Sequence, residues 1–125
     1  MPNAEPSLSE AGTDAGGFRI NGSPQATLRI EVWGYWSPEV ATRFVRDAPP
    51  AVQRLTPAAA FVLDAAHLKP QAAGGQEGFR TLFRALSALT FAGGKIIAKN
   101  ALTCMQLMRL LRECKMDDRL KLGDV

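Results

Sequence analysis

The side chains with chemical capacity gather in one stretch: Asp64, His67, Lys69, Gln71 and Glu77. His67 is the only histidine, and Asp64 stands three residues before it. A carboxylate that orients an imidazole makes a general base. Against that, residues 65–76 contain no Ser, Thr, Cys or Asp to act as a nucleophile beside it. A metal would need at least three protein ligands, and the candidates here are scattered. The stretch therefore reads as a contact surface, with no catalytic residue, no metal and no cofactor assigned.

Gly74 and Gly75 precede a helical pattern whose free N–H groups would suit an anion. Neither G-x-G-x-x-G nor G-x-x-x-x-G-K-[ST] is present, so helix capping is the simpler reading. Trp33, Tyr35 and Trp36 cluster at the end of a strand pattern, where aromatics commonly cover a sheet end. Cys104 and Cys114 lie on one helical pattern, about 15 Å apart along its axis, too far for a disulfide. They are expected as two reduced, buried thiols.

The elements that position these residues follow from periodicity. Residues 1–17 are rich in Pro, Ser, Glu, Ala and Gly and are expected to be a disordered tail. Phe18–Ile20 is a short strand, Asn21-Gly22-Ser23-Pro24 a turn, and 27–33 a second strand with Leu28, Ile30 and Val32 on its buried face. Ser37-Pro38-Glu39 opens a helix, with Val40, Phe44 and Val45 on its apolar side. Pro49-Pro50 should end or kink that helix. Residues 59–64 form an apolar strand ending in Asp64, and a functional loop is expected from Asp64 to Glu77. The next helix, roughly 75–91, carries Phe79, Leu82, Phe83, Leu86 and Leu89 on one stripe, with Arg80 and Arg84 outside it. A strand at 95–98, a helix at 100–115 and a short strand at Lys121-Leu122 complete the order.

The last helix is more apolar than one buried face requires. Leu102, Cys104, Met105, Leu107, Met108, Leu110, Leu111 and Cys114 surround it, leaving Thr103, Gln106, Arg109 and Glu113 as a narrow polar strip. Met105, Met108, Leu110 and Arg109 are the expected oligomer or partner surface, methionine being adaptable in such contacts.

The totals set outer bounds. A chain of 125 residues, 46% hydrophobic and 22% charged, suits one globular domain, here 18–125. No apolar run approaches a membrane span, and no signal peptide is visible, so a cytoplasmic protein is expected. Residues 1–16 hold Glu5, Glu10 and Asp14 and no base, which leaves +6 on the remainder of a chain of net charge +3. The bases are scattered singly, so no nucleic acid is expected as a partner.

The β-β-α-β-α-β-α-(β) order predicts an α/β fold with a mixed four- or five-strand sheet in two or three layers. Only the opening hairpin should be antiparallel. Together with Gly34 before Ser37-Pro38, Val62-Leu63-Asp64 followed by Leu68, and Gly93-Gly94-Lys95-Ile96-Ile97, this order resembles the STAS domain of anti-sigma-factor antagonists and sulfate-transporter cytoplasmic domains. The likeness covers about residues 18–125. Where the antagonists carry a Ser or Thr phosphorylated by a partner kinase, this chain reads Ala72-Ala73-Gly74-Gly75. The resemblance thus implies a divergent member without that switch. It implies a non-enzymatic module for protein–protein interaction in bacterial signalling, with a protein partner or a homodimer. Its contact residues would be Asp64, His67, Lys69, Gln71, Gly74, Gly75, Gln76, Glu77, Arg80 and Arg84. The alternative is a module for a small apolar or anionic ligand such as a lipid, in a pocket lined by Phe79, Phe83 and Trp36 near Lys69.

Overall fold

The computed structural model describes residues 9–123. Nine elements follow in order: β1 (Ser9–Thr13), β2 (Gly16–Gly22), β3 (Thr27–Gly34), α1 (Pro38–Val52), β4 (Ala60–Leu68), α2 (Ala73–Ser87), β5 (Gly93–Ala98), α3 (Ala101–Glu113) and β6 (Leu120–Gly123). The six strands form one sheet in sequence order. β1, β2 and β3 pair antiparallel, and β3 to β6 pair parallel. The class is α/β with a mixed sheet, one strand wider than the expected maximum.

The extra strand comes from the segment expected as a tail. Residues 1–8 lie outside the described residues, but Ser9–Thr13 pairs with Gly16–Ile20 along its length. Backbone pairing, a Ser9 hydroxyl donating to Asp47 at 2.7 Å and an Arg19–Glu10 ion pair at 3.1 Å order a segment with almost no apolar side chain. The β2–β3 turn also sits later than Asn21-Gly22 suggested. Those two residues pair with Arg29 and Leu28, and the chain reverses at 23–26.

Alternation then builds the core. Leu28, Ile30 and Val32 of β3 lie beside Phe61, Leu63 and Ala65 of β4, and all are buried. Three crossovers step the same way across the sheet, and with the right-handed sense such links prefer, all three helices fall on this face. α1 packs on α2 and α2 on α3. The opposite face carries Arg19, Glu31, Arg29, Asp64, Lys95 and Lys121, half-buried or exposed. The molecule therefore has two layers.

Ser37 caps α1, its Oγ accepting from the Val40 amide at 3.2 Å, and Glu39 occupies the first turn. The helix runs through Pro49 and Pro50 to Val52 instead of ending there. Both prolines lie in the last turn, where buried Ala48 and Val52 anchor the chain to the core, and only two amide donors are lost. Val45, expected on the apolar side, is exposed.

Candidate functional site

The Asp64–Glu77 loop is mostly not a loop. β4 continues to Leu68 and α2 begins at Ala73, so only 69–72 connect them. Asp64 is a strand residue on the open sheet face, where Arg29 donates to Oδ2 and the Ala66 amide to Oδ1 at 3.1 Å. The register slips between β3 and β4 after Asp64, and the slip sets His67 opposite Trp33, exposed. With its carboxylate taken by Arg29, Asp64 orients no imidazole. Lys69 is exposed, and its amide donates to the Gly34 carbonyl at 3.1 Å.

Gln71 is where the structure departs furthest from a contact role, because its side chain is buried. Its Nε2 donates to the carbonyls of Gly34 and Lys69, both at 2.8 Å, and its Oε1 accepts from the Trp36 amide at 3.0 Å. Its own backbone is held from α3. The Gln71 amide donates to Gln106 Oε1 at 2.8 Å, and Gln106 Nε2 donates to the Gln71 carbonyl at 3.0 Å. Gln76 Nε2 donates to the same carbonyl at 2.8 Å. Two glutamines thus latch the β3–α1 turn, the β4–α2 turn and α3 together.

Two glycines make the latch possible. Gly34 turns the chain with φ +69°, and a side chain there would strike the Ala15 carbonyl. A Cβ on Gly75 would come within 2.6 Å of Gln71 Oε1. Gly74 faces open space. Gly75 therefore admits Gln71 to its seat, and no anion is needed to explain the pair.

Gln76 and Arg80 turn toward α3, and Glu77 stays exposed beside Arg80 on α2. Arg109 donates to Gln76 Oε1, and Arg80 pairs with Glu77 and, at 2.9 Å, with Glu113. The hydrogen bond from Arg80 holds the Glu113 carboxyl below the usual glutamate range, helped by Arg109 and Arg84. The same pairing raises Arg80 above its ordinary value. Burial pushes the Cys114 thiol up, with Arg84 opposing. Cys104 and Cys114 are both free thiols and only partly buried. Arg84 is exposed near the end of α2.

The surplus apolar arc of α3 divides sharply. Leu107, Leu110 and Leu111 are buried, so Leu110 belongs to the core and not to an oligomer surface. Thr103, read as polar surface, is buried as well, its hydroxyl donating to the Leu68 carbonyl at 2.9 Å. Leu102 and Met105 are 61% and 67% exposed. With half-buried Cys104 and Met108 they line a groove of about 640 Å³ that Pro70, Gln106, Arg109 and Arg112 complete. Pro70 brings the β4–α2 turn to the groove, so part of the expected loop and part of the expected α3 surface meet.

The space beneath α2 is filled by rings. Trp36 stacks on Phe79 at 4.9 Å between centroids and meets Phe44 at 4.8 Å, and Phe79 meets Phe83 at 6.5 Å. Trp36 also donates from Nε1 to the Gly17 carbonyl at 3.1 Å. Among the described residues no three His, Cys, Asp or Glu side chains gather as metal ligands, and no helix is long and apolar enough to cross a membrane.

Sequence reasoning had no signal for the Gln71–Gln106 latch, since a glutamine that will be buried looks like one that will be solvated. Arg119, which donates to the Leu86, Ser87 and Leu89 carbonyls and lies over Phe91 at 4.8 Å, was equally silent. The groove did have a signal, in the excess of apolar residues around α3. No family model matches the chain, and no curated protein matches it significantly.

Proposed function

We propose that this chain is a non-catalytic protein-interaction module of the STAS-like kind, serving regulation in bacterial signalling. Its contact surface is the outer strip of α3 with the adjoining β4–α2 turn. The observation that carries the reading is the exposure of Leu102 and Met105 side by side on a regular, well-anchored helix. Single exposed apolar residues need no explanation, but a contiguous pair in a groove with Cys104, Met108 and Pro70 is the usual mark of a contact site. The binding of Asp64 by Arg29 and of Gln71 by three backbone groups supports a structural role for these two polar side chains. The STAS-like part rests on the element order from the β2–β3 hairpin through α3.

Site-specific photo-crosslinking in the cells that make the protein tests this. A benzophenone side chain at Met105 should give a discrete protein adduct that Leu102→Glu abolishes. The same group at exposed Thr42 on α1 should give none. Equal labelling from the two positions would remove the basis for the proposal.

A further inference from the structure

Resting on that reading, we infer that the occupant of the α3 groove is an acidic amphipathic helix of a partner protein. Leu102, Met105, Arg109 and Arg112 succeed one another at spacings of three, four and three residues, and all four line the groove. That spacing keeps them on one side of a helix, the seam along which a second helix packs. The seam has two halves. Its N-terminal half is apolar and exposed, and its C-terminal half is two arginines.

No acidic residue lines the groove. Arg109 is already engaged by Gln76 and lies 3.9 Å from Glu113, but Arg112 has no ion-pair partner among the described residues. A helix that fits must present large apolar residues to Leu102 and Met105. One or two turns further on it must present Asp or Glu to Arg109 and Arg112.

A second copy of the chain does not fit. Parallel pairing would set arginine on arginine, and antiparallel pairing would set Leu102 and Met105 against the arginines. A membrane surface fits poorly too, because the site is concave and its lining has no Trp, Tyr or Phe to enter the interface.

Fluorescence anisotropy with the full chain tests the assignment. The probe is a labelled helical peptide about three heptads long. It carries Leu at seam positions in one half and Glu at seam positions in the other, and a control has Lys for Glu. The Glu peptide should bind and weaken with added salt, while the Lys peptide should bind at least about tenfold more weakly. Arg112→Glu should reverse that preference, and Arg112→Lys should largely keep it. Circular dichroism should show both variants folded, since Arg112 supports no ion pair among the described residues and is exposed.

Equal binding of the two peptides would overturn the charge assignment. So would sedimentation with vesicles of mixed zwitterionic and anionic lipid together with no peptide binding, or a dimer that Met105→Glu dissociates. If neither peptide binds while the Met105 crosslink forms, the partner chemistry is wrong and the interaction surface stands. If both fail, the surface falls with it.

Discussion

Gln106 and Met105 are neighbours on α3, and their surroundings are inverted. The polar side chain, half-buried at the groove's edge, holds the Gln71 backbone at both amide and carbonyl, and the apolar one is left to solvent. The glutamine pair is fully matched: every polar atom of the Gln71 side chain has a partner, and no buried side-chain polar atom among the described residues lacks one. The outward strip is covered by none of the described residues. A buried polar group that is satisfied fixes one arrangement of the chain. Exposed apolar surface contributes nothing to the fold of the isolated domain. The first region therefore reads as architecture and the second as a surface retained for something else.

The strongest test of this contrast uses two glutamates on the same helix. Leu110→Glu buries a charge in a position 1% exposed and should cost about 4 kcal/mol or more, enough to abolish the thermal transition of a domain this size. Met105→Glu should change stability by less than about 0.5 kcal/mol. Thermal melts followed by circular dichroism decide it, and comparable losses in both variants would erase the distinction between core and surface on α3.

Next in size is the latch itself. Gln71→Leu would strand the Trp36 amide and take away the donor to the Lys69 carbonyl, and should cost about 2–4 kcal/mol. Gln106→Ala should cost about 1–2 kcal/mol, and the double variant should cost less than the sum, because both act on one network. Urea denaturation gives all three values. Strict additivity would mean the two glutamines act independently.

The glycine pair gives a smaller effect with a change of sign. Gly75→Ala places a methyl within 2.6 Å of Gln71 Oε1 and should destabilise by about 1–3 kcal/mol. Gly74→Ala meets no neighbour on a helix and should stabilise by up to about 1 kcal/mol. Were Gly75 conserving an anion site instead, both substitutions would be tolerated alike in the absence of ligand.

The smallest effect is electrostatic. Glu113 titrates below its ordinary value of 4.5 because Arg80 stabilises its charged form. A depressed folded pKa adds stability above the unfolded pKa and loses it as the pH falls through the folded one. The melting temperatures of the native chain and Glu113→Gln should therefore differ near neutral pH. They should converge as the pH falls below the ordinary glutamate range and Glu113 takes up its proton. A gap that persists in acid would mean the α2–α3 clip does not depend on that charge.

Much of the frame is legible in the sequence. The alternation of Leu28, Ile30 and Val32, the Ser37-Pro38-Glu39 start and the Phe79–Leu86 stripe each express a local rule that tertiary contacts had no reason to override. The rule failed where a local signal met a stronger distant one. Polar Ser9–Thr13 became a strand because β2 offered a pairing edge, and Pro49-Pro50 stayed helical because Ala48 and Val52 were anchored in the core. His67 was read as a loop residue because the apolar run stops at Asp64, yet β3 extends the pairing to Leu68.

The site shows the same division. The chain alone determined that residues 65–76 carry no Ser, Thr, Cys or Asp and that α3 is more apolar than one buried face can use. Both are statements about composition and period, which covalent order settles. Only the tertiary structure decided which residues of that surplus are core and which are surface, and that Pro70 from the β4–α2 turn joins them. It alone seated Gln71 against Gln106 across 35 residues of chain. The reason is physical: periodicity gives the angle of a side chain around its own helix, but burial depends on what stands opposite, and only packing in three dimensions supplies that.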